Sequence, residues 1–269
     1  MSLKSTFNIA GLTLTITCDE KTYAQGSQIR GKIILLGGEY QQQAQPVKFQ
    51  FREFWLETTY VLGGNPPRPG TVTAFRNHQT IMLATATTMM PRSEAVFDFS
   101  VQLPPNCCIS GLNSGWQIIV DVDISDALDA KADLILEVGP SEEMTVFINT
   151  VVGELRFKMD ESSWDWENEI ARKRLFPPRA LRSKLGDVWF EMERVNAGLG
   201  VEALFSLGAK SPLDYLKTFF ARNPTSRKSA RRKFNLTAEQ IWTLNHQPNP
   251  EGLLRVFVPL LQDVVEKQA

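Results

Sequence analysis

Two histidines, three cysteines and a short acidic series are the residues whose types could support catalysis or metal binding in this chain. His78 and His246 stand far apart, and neither has Cys, Asp or Glu around it at the spacing that metal ligands need. The sequence holds no Gly-rich phosphate loop and no nucleophile elbow, and no trio of nucleophile, base and orienting group can be named at any spacing. The expectation is a chain without turnover, metal or cofactor. Asp121, Asp123, Asp126, Asp129 and Asp133 invite a calcium reading. A helix-loop-helix calcium loop counted from Asp121, however, needs Gly at its sixth position and Glu at its twelfth, where this chain has Asp126 and Ala132. Cys18, Cys107 and Cys108 form no disulfide framework, because sequence neighbours bridge only with strained backbone geometry. Reduced thiols in buried or loop positions are expected.

Charge offers one local signal. The 269 residues carry 29 basic and 30 acidic side chains, so no global field selects nucleic acid or an acidic membrane. Arg227, Lys228, Arg231, Arg232 and Lys233 nevertheless crowd into RNPTSRKSARRKF. That run reads as a solvated linker, or as a contact for an anionic lipid surface or an acidic protein patch, with Phe219, Phe220 and Phe234 as flanking apolar anchors. Nucleic acid is disfavoured, since no aromatics interleave with these cations on a sheet. Nowhere do eighteen apolar residues run together, and MSLKSTFNIA lacks an apolar core with a cleavage site, so a cytoplasmic location is expected.

The elements that must position these residues are mostly strands. Leu12, Leu14, Ile16 and Cys18 alternate with threonines, and after a polar bend Ile29, Gly31, Ile33 and Leu35 repeat the period of two. Gly31 inside that run suggests a bulge or a close backbone approach. Val47, Phe49 and Phe51 lie on one parity and Phe54 and Leu56 on the other, which predicts either a bulge near Glu53 or burial on both faces. GGNPPRPG makes a turn. Phe97 to Leu103 alternates up to Pro104 and Pro105, and Trp116, Ile118, Val120, Val122 and Ile124 form the longest clean alternation, before a short strand at Leu134 to Val138. Seven or eight strands separated by turn signals describe a β-sandwich over residues 1–140.

At Ser141 the period turns helical. Ser141 caps, Glu142 and Glu143 suit the first turn, and Met144, Phe147, Ile148 and Val151 share a face, giving a hinge helix into a second, smaller β domain over 141–210. Asp187 to Leu207 reads as a hairpin turning at NAGLG. A helical tail over 211–269 follows, with helices from Ser211, from a Thr237/Gln240 capping box and from Asn249–Pro250, and with the basic run between them.

Several of these stretches resemble the arrestin-like superfamily, and specifically the bacterial sporulation-control proteins of the stage-zero M type. The carrying residues are YAQGSQIRGKIIL from Tyr23 to Leu35, FDFSVQLP from Phe97 to Pro104, VDVDISDALDAKADLILEVGP from Val120 to Pro140, and GELRFKMDES from Gly153 to Ser162. The resemblance spans residues 5–207, whereas Trp164 to Lys184 and the tail after Ser211 depart from it. It implies a mainly β fold of two arrestin-like sandwiches, and a non-enzymatic cytoplasmic regulator or scaffold. Such a protein acts through other proteins, at sheet edges or an interdomain groove.

Overall fold

In a computed structural model the described residues are 3–9, 11–61, 68–85, 87–111, 113–124, 130–160, 164–167, 170–196, 198–207 and 229–267. The protein is mainly β, and it divides into two compact units, Met1–Gly139 and Pro140–Ala269.

The N-terminal unit holds β1 (Leu3–Ile9), β2 (Leu12–Cys18), β3 (Thr22–Ala24), β4 (Gln28–Leu36), β5 (Gln42–Val61), β6 (Arg68–Ala84), β7 (Thr87–Met89), β8 (Glu94–Gln102), β9 (Ser114–Ile124) and β10 (Ala130–Gly139). One sheet runs β1-β2-β4-β8, and the other runs β3-β10-β9-β5-β6 with β7 on the end of β5. Period-two apolar residues from both sheets meet in a sandwich core. Phe49 of β5 and Phe99 of β8 approach to 4.8 Å between ring centroids, and Trp116 of β9 stacks on Phe51 at 4.7 Å. Trp116, Ile118 and Val120 are fully buried, as their alternation predicts. Asp121 faces away and pairs with Lys131 at 3.9 Å. Ile119, on the polar parity of the same strand, is also fully buried, so β9 is covered on both faces at that point.

The pairing of β4 with β2 and β8 runs through Gly31 without a register shift, so this glycine serves a close approach and not a bulge. A Cβ there would lie 2.1 Å from the Thr17 carbonyl oxygen and 2.4 Å from the Phe99 ring. Gly31→Ala is expected to destabilise this unit by about 2–3 kcal/mol through overpacking. An unchanged denaturation midpoint would show that the two strands can spread at no cost.

The C-terminal unit contains α1 (Glu142–Glu154), β11 (Lys158–Met159), β12 (Asp165–Glu167), β13 (Ile170–Phe176), a 3₁₀ turn (Arg179–Leu181), β14 (Leu185–Val195), β15 (Gly198–Leu207), β16 (Ser229–Thr237), α2 (Ala238–Ile241) and α3 (Pro250–Glu266). Its sheet runs β11-β13-β14-β15-β16, with β12 also on β13. The expected hairpin is β14–β15, pairing Val188 with Phe205, Phe190 with Ala203 and Met192 with Val201. The three helix starts foreseen within the described residues are capped as read. The Ser141 hydroxyl accepts the Met144 N–H at 3.4 Å, Thr237 and Gln240 form a capping box, and the Asn249 side chain accepts the Gly252 N–H at 3.1 Å.

Three particulars differ from the sequence reading. Helix α1, read as a hinge, is built into this unit: Phe147 lies 5.2 Å from Phe190 and 5.9 Å from Phe257. Residues 229–237, read as a charged linker within a helical tail, form a strand along β15, and α3 closes over the sheet through Phe257. Strand and helix therefore extend the second domain well past residue 210. Among the described residues, the apolar face of its sheet is covered by helices in place of a second sheet, because the Phe147 and Phe257 rings satisfy the surface that a facing sheet would have buried. The helix expected from Ser211, with Leu213, Leu216, Phe219 and Phe220, lies outside the described residues.

Candidate functional site

Strand β6 ends its sheet, and among the described residues no strand pairs with its outer side. Its register against β5 shifts twice. Phe51 faces Gln79 while Arg52 faces Asn77, and Val47 faces Ala84 while Lys48 faces Met82, so His78 and Leu83 are extra residues on β6. The extra residues are on β6, whereas β5 runs regularly against β9 through Glu53, so Phe54 and Leu56 simply occupy the face opposite Phe49, Phe51 and Glu53. Bulges bend an edge and re-aim side chains. From Arg68 to Asn77 the register is regular. Leu56, Phe75 and Met82 share the outer face and are 43%, 49% and 51% exposed, and the Arg52 guanidinium lies 4.0 Å over the Phe75 ring. Val72 is exposed on the opposite face.

Beneath this edge lies a carboxylate that the sequence did not single out. Glu53 continues the core parity of Phe49 and Phe51 and is 3% exposed. Its Oε1 is 3.3 Å from both Arg76 Nε and His78 Nε2, and its Oε2 accepts the Cys108 N–H at 3.3 Å. The bulge explains how His78, on an edge strand, reaches inward to lie 4.8 Å from Trp116. The loop after β8 is held by further polar side chains. Trp116 Nε1 donates to the Cys108 carbonyl at 2.7 Å, Gln25 Nε2 to the Cys107 carbonyl at 2.5 Å, and the Ser114 hydroxyl to the Ile109 carbonyl at 2.9 Å. A carboxylate this deeply buried is tolerated only with partners, which here are Arg76, His78 and the Cys108 N–H. The available signal was the parity of Glu53 itself, an acid in register with two core phenylalanines.

The cysteines are fully buried, and burial above all pushes the Cys18 and Cys108 thiols up to about 12 and that of Cys107 upward as well. Thiols held protonated in this way are poor nucleophiles. His246 belongs to the C-terminal unit, stacked on Trp242 at 4.5 Å. Asp133 accepts from Gln117 Nε2 at 2.7 Å and Asp123 is exposed, while Asp126 and Asp129 lie outside the described residues. Among the described residues no group of three or more His, Cys, Asp or Glu could hold a metal ion, and no helix is long and apolar enough to cross a membrane.

The basic run does not gather on one surface. Arg227 and Lys228 lie outside the described residues. On β16 the strand period sends Arg231 and Lys233 to one face and Arg232 to the other. Arg231 Nε pairs with Glu202 at 3.0 Å, Lys233 lies opposite Glu202 in register, and Arg232 Nε donates to Asp263 of α3 at 3.2 Å. The Asp263 carboxyl is held below its usual range by hydrogen bonds from Lys267 first and Arg232 second.

A family model described as SpoOM protein matches residues 4–176, more than half of the chain. No curated protein matches. Among solved structures the chain is similar to the crystal structure of Spo0M, a sporulation control protein from Bacillus subtilis, with a TM-score of 0.60 and 13% identity, covering 100% of this chain and 99% of that one. At that identity the likeness is one of fold.

Proposed function

The chain belongs to the SpoOM protein family, and from that premise we propose that it is a cytoplasmic regulator of the sporulation-control type. It works without turnover, by receiving an extended segment of a partner protein along a sheet edge. The observation that carries this reading is β6: an edge strand whose regular stretch from Arg68 to Asn77 exposes Phe75 on one face, beside Leu56 of β5, and Val72 on the other. Main-chain hydrogen bonds along such an edge supply affinity, and side chains on the two faces supply selection. The bulges at His78 and Leu83 limit the length of strand that can add, which guards against indiscriminate pairing.

Photo-crosslinking from a benzoylphenylalanine placed at Thr73 tests the proposal, with the same probe at Asp123 on the interior strand β9 as control. Discrete protein adducts are expected from Thr73, lost when Phe75→Lys is added, and none from Asp123. Identical adducts from both positions would remove the edge-strand reading. Binding of an anionic lipid surface by Arg227, Lys228, Arg231, Arg232 and Lys233 is the alternative. It has less support, because Arg231 and Arg232 face opposite ways and each is held by a carboxylate.

A further inference from the structure

We propose that the loop joining α2 to α3 is a docking site for an arginine-bearing segment of a partner protein. This loop belongs to the C-terminal unit and shares no residue with the β6 edge.

The loop is short and fully pinned. Trp242 and Pro248 form a β-bridge, and the Asn249 N–H donates to the Ile241 carbonyl at 2.8 Å. Inside it, the Thr243 N–H donates to the Gln247 carbonyl at 2.8 Å and the His246 N–H to the Thr243 carbonyl at 2.9 Å, while the Thr243 hydroxyl accepts the Gln247 N–H at 3.2 Å. His246 adopts a left-handed φ of 56°, uncommon for a non-glycine residue although histidine is among those enriched there. Its ring is held by the stack on Trp242. At the tip Leu244 is 105% exposed. A lone exposed leucine is ordinary, but one mounted on a turn fixed by this many bonds can be buried by a partner with little ordering cost.

Beside the loop lies a cleft of about 870 Å³, bounded by Glu143, Glu239, Trp242, His246 and Asn249. Its chemistry is one-sided. No lysine or arginine is among its described lining residues. Glu143 is already engaged by Arg194 at 3.1 Å, whereas the Glu239 carboxylate has no partner among the described residues. An aromatic wall next to an unengaged carboxylate fits a guanidinium, which is planar, stacks on rings and grips a carboxylate with two parallel N–H donors. A partner that sets an arginine in the cleft and covers Leu244 with an apolar pocket matches both features.

The test uses the full chain labelled with ¹⁵N at tryptophan, the Trp242 indole signal being assigned by Trp242→Phe. The probe is an acetylated, amidated peptide of alternating arginine and leucine, compared with the same peptide carrying citrulline or glutamate in place of arginine. A saturable shift of the Trp242 indole signal is expected with the arginine peptide only, and roughly tenfold weaker binding in Glu239→Lys. Glu239 is exposed, so the substitution leaves the packed core of the unit untouched. No shift at millimolar peptide, an equal shift with the citrulline peptide, or unchanged binding in Glu239→Lys would each overturn the proposal. So would co-sedimentation with phosphatidylglycerol vesicles abolished by Leu244→Glu, which would assign the loop to lipid.

Discussion

Phe257→Ala is expected to lower the stability of the C-terminal unit by about 3–5 kcal/mol, the range for deleting a fully buried phenylalanine and leaving a cavity. Phe257 is 1% exposed, and its ring meets those of Phe147 at 5.9 Å, Phe190 at 5.5 Å, Phe205 at 6.4 Å and Phe234 at 5.9 Å. One side chain of α3 thus ties α1 and three strands of the sheet together. The ion pair of Arg232 with Asp263 also ties α3 to β16, but its carboxylate is exposed, so it offsets little of the loss. Hydrogen exchange read by element is the suitable measurement, since a two-unit chain need not unfold in one step. Amides of α1 and α3 are expected to lose protection together while those of β9 keep theirs. If α3 alone became unprotected, the aromatic cluster would not be the shared core of the unit.

Glu53→Ala is expected to cost about 2–4 kcal/mol in the N-terminal unit. The substitution removes the acceptor of the Cys108 N–H and leaves His78, with its side chain only 21% exposed, beside an empty space. Arg76 softens the loss, because its side chain is 48% exposed and can turn to water. Arg76→Ala should for the same reason cost well under half as much as Glu53→Ala. The comparison is read from denaturation midpoints of the two variants. Equal losses would mean that the Arg76 ion pair, and not the burial of the carboxylate, governs the cluster. Exposure of the buried cysteines is a second readout. The loop carrying Cys107 and Cys108 is expected to react faster with an alkylating thiol reagent in Glu53→Ala than in the parent chain.

Local pattern was enough for whatever depends on neighbours in the chain. Alternation along β2, β4, β8 and β9 reflects a backbone that sends successive side chains to opposite faces, so the core parity of Leu14, Ile33, Phe99 and Val120 was legible without any partner strand. The caps at Ser141, Thr237 and Asn249 were legible too, because a cap satisfies backbone groups within three residues of itself. The family was reached by resemblance of particular stretches, Tyr23 to Leu35 and Val120 to Pro140 among them, and the family match over residues 4–176 shows it.

Tertiary structure alone decided the rest, and in each case through a partner distant in sequence. The basic run reads locally as a solvated charge cluster; β15 pairs with nine residues from Ser229 to Thr237, while Glu202 and Asp263 neutralise Arg231 and Arg232 from opposite faces. Glu53 takes the core face by its own parity, but the partners that make its burial tolerable come from β6, where Arg76 lies opposite it and the extra residue His78 turns to the same oxygen. The exposure of Leu56, Phe75 and Met82 likewise depends on β6 being the last strand of its sheet. Periodicity along one strand records which face a residue takes, whereas the order of strands and their register determine whether that face is covered.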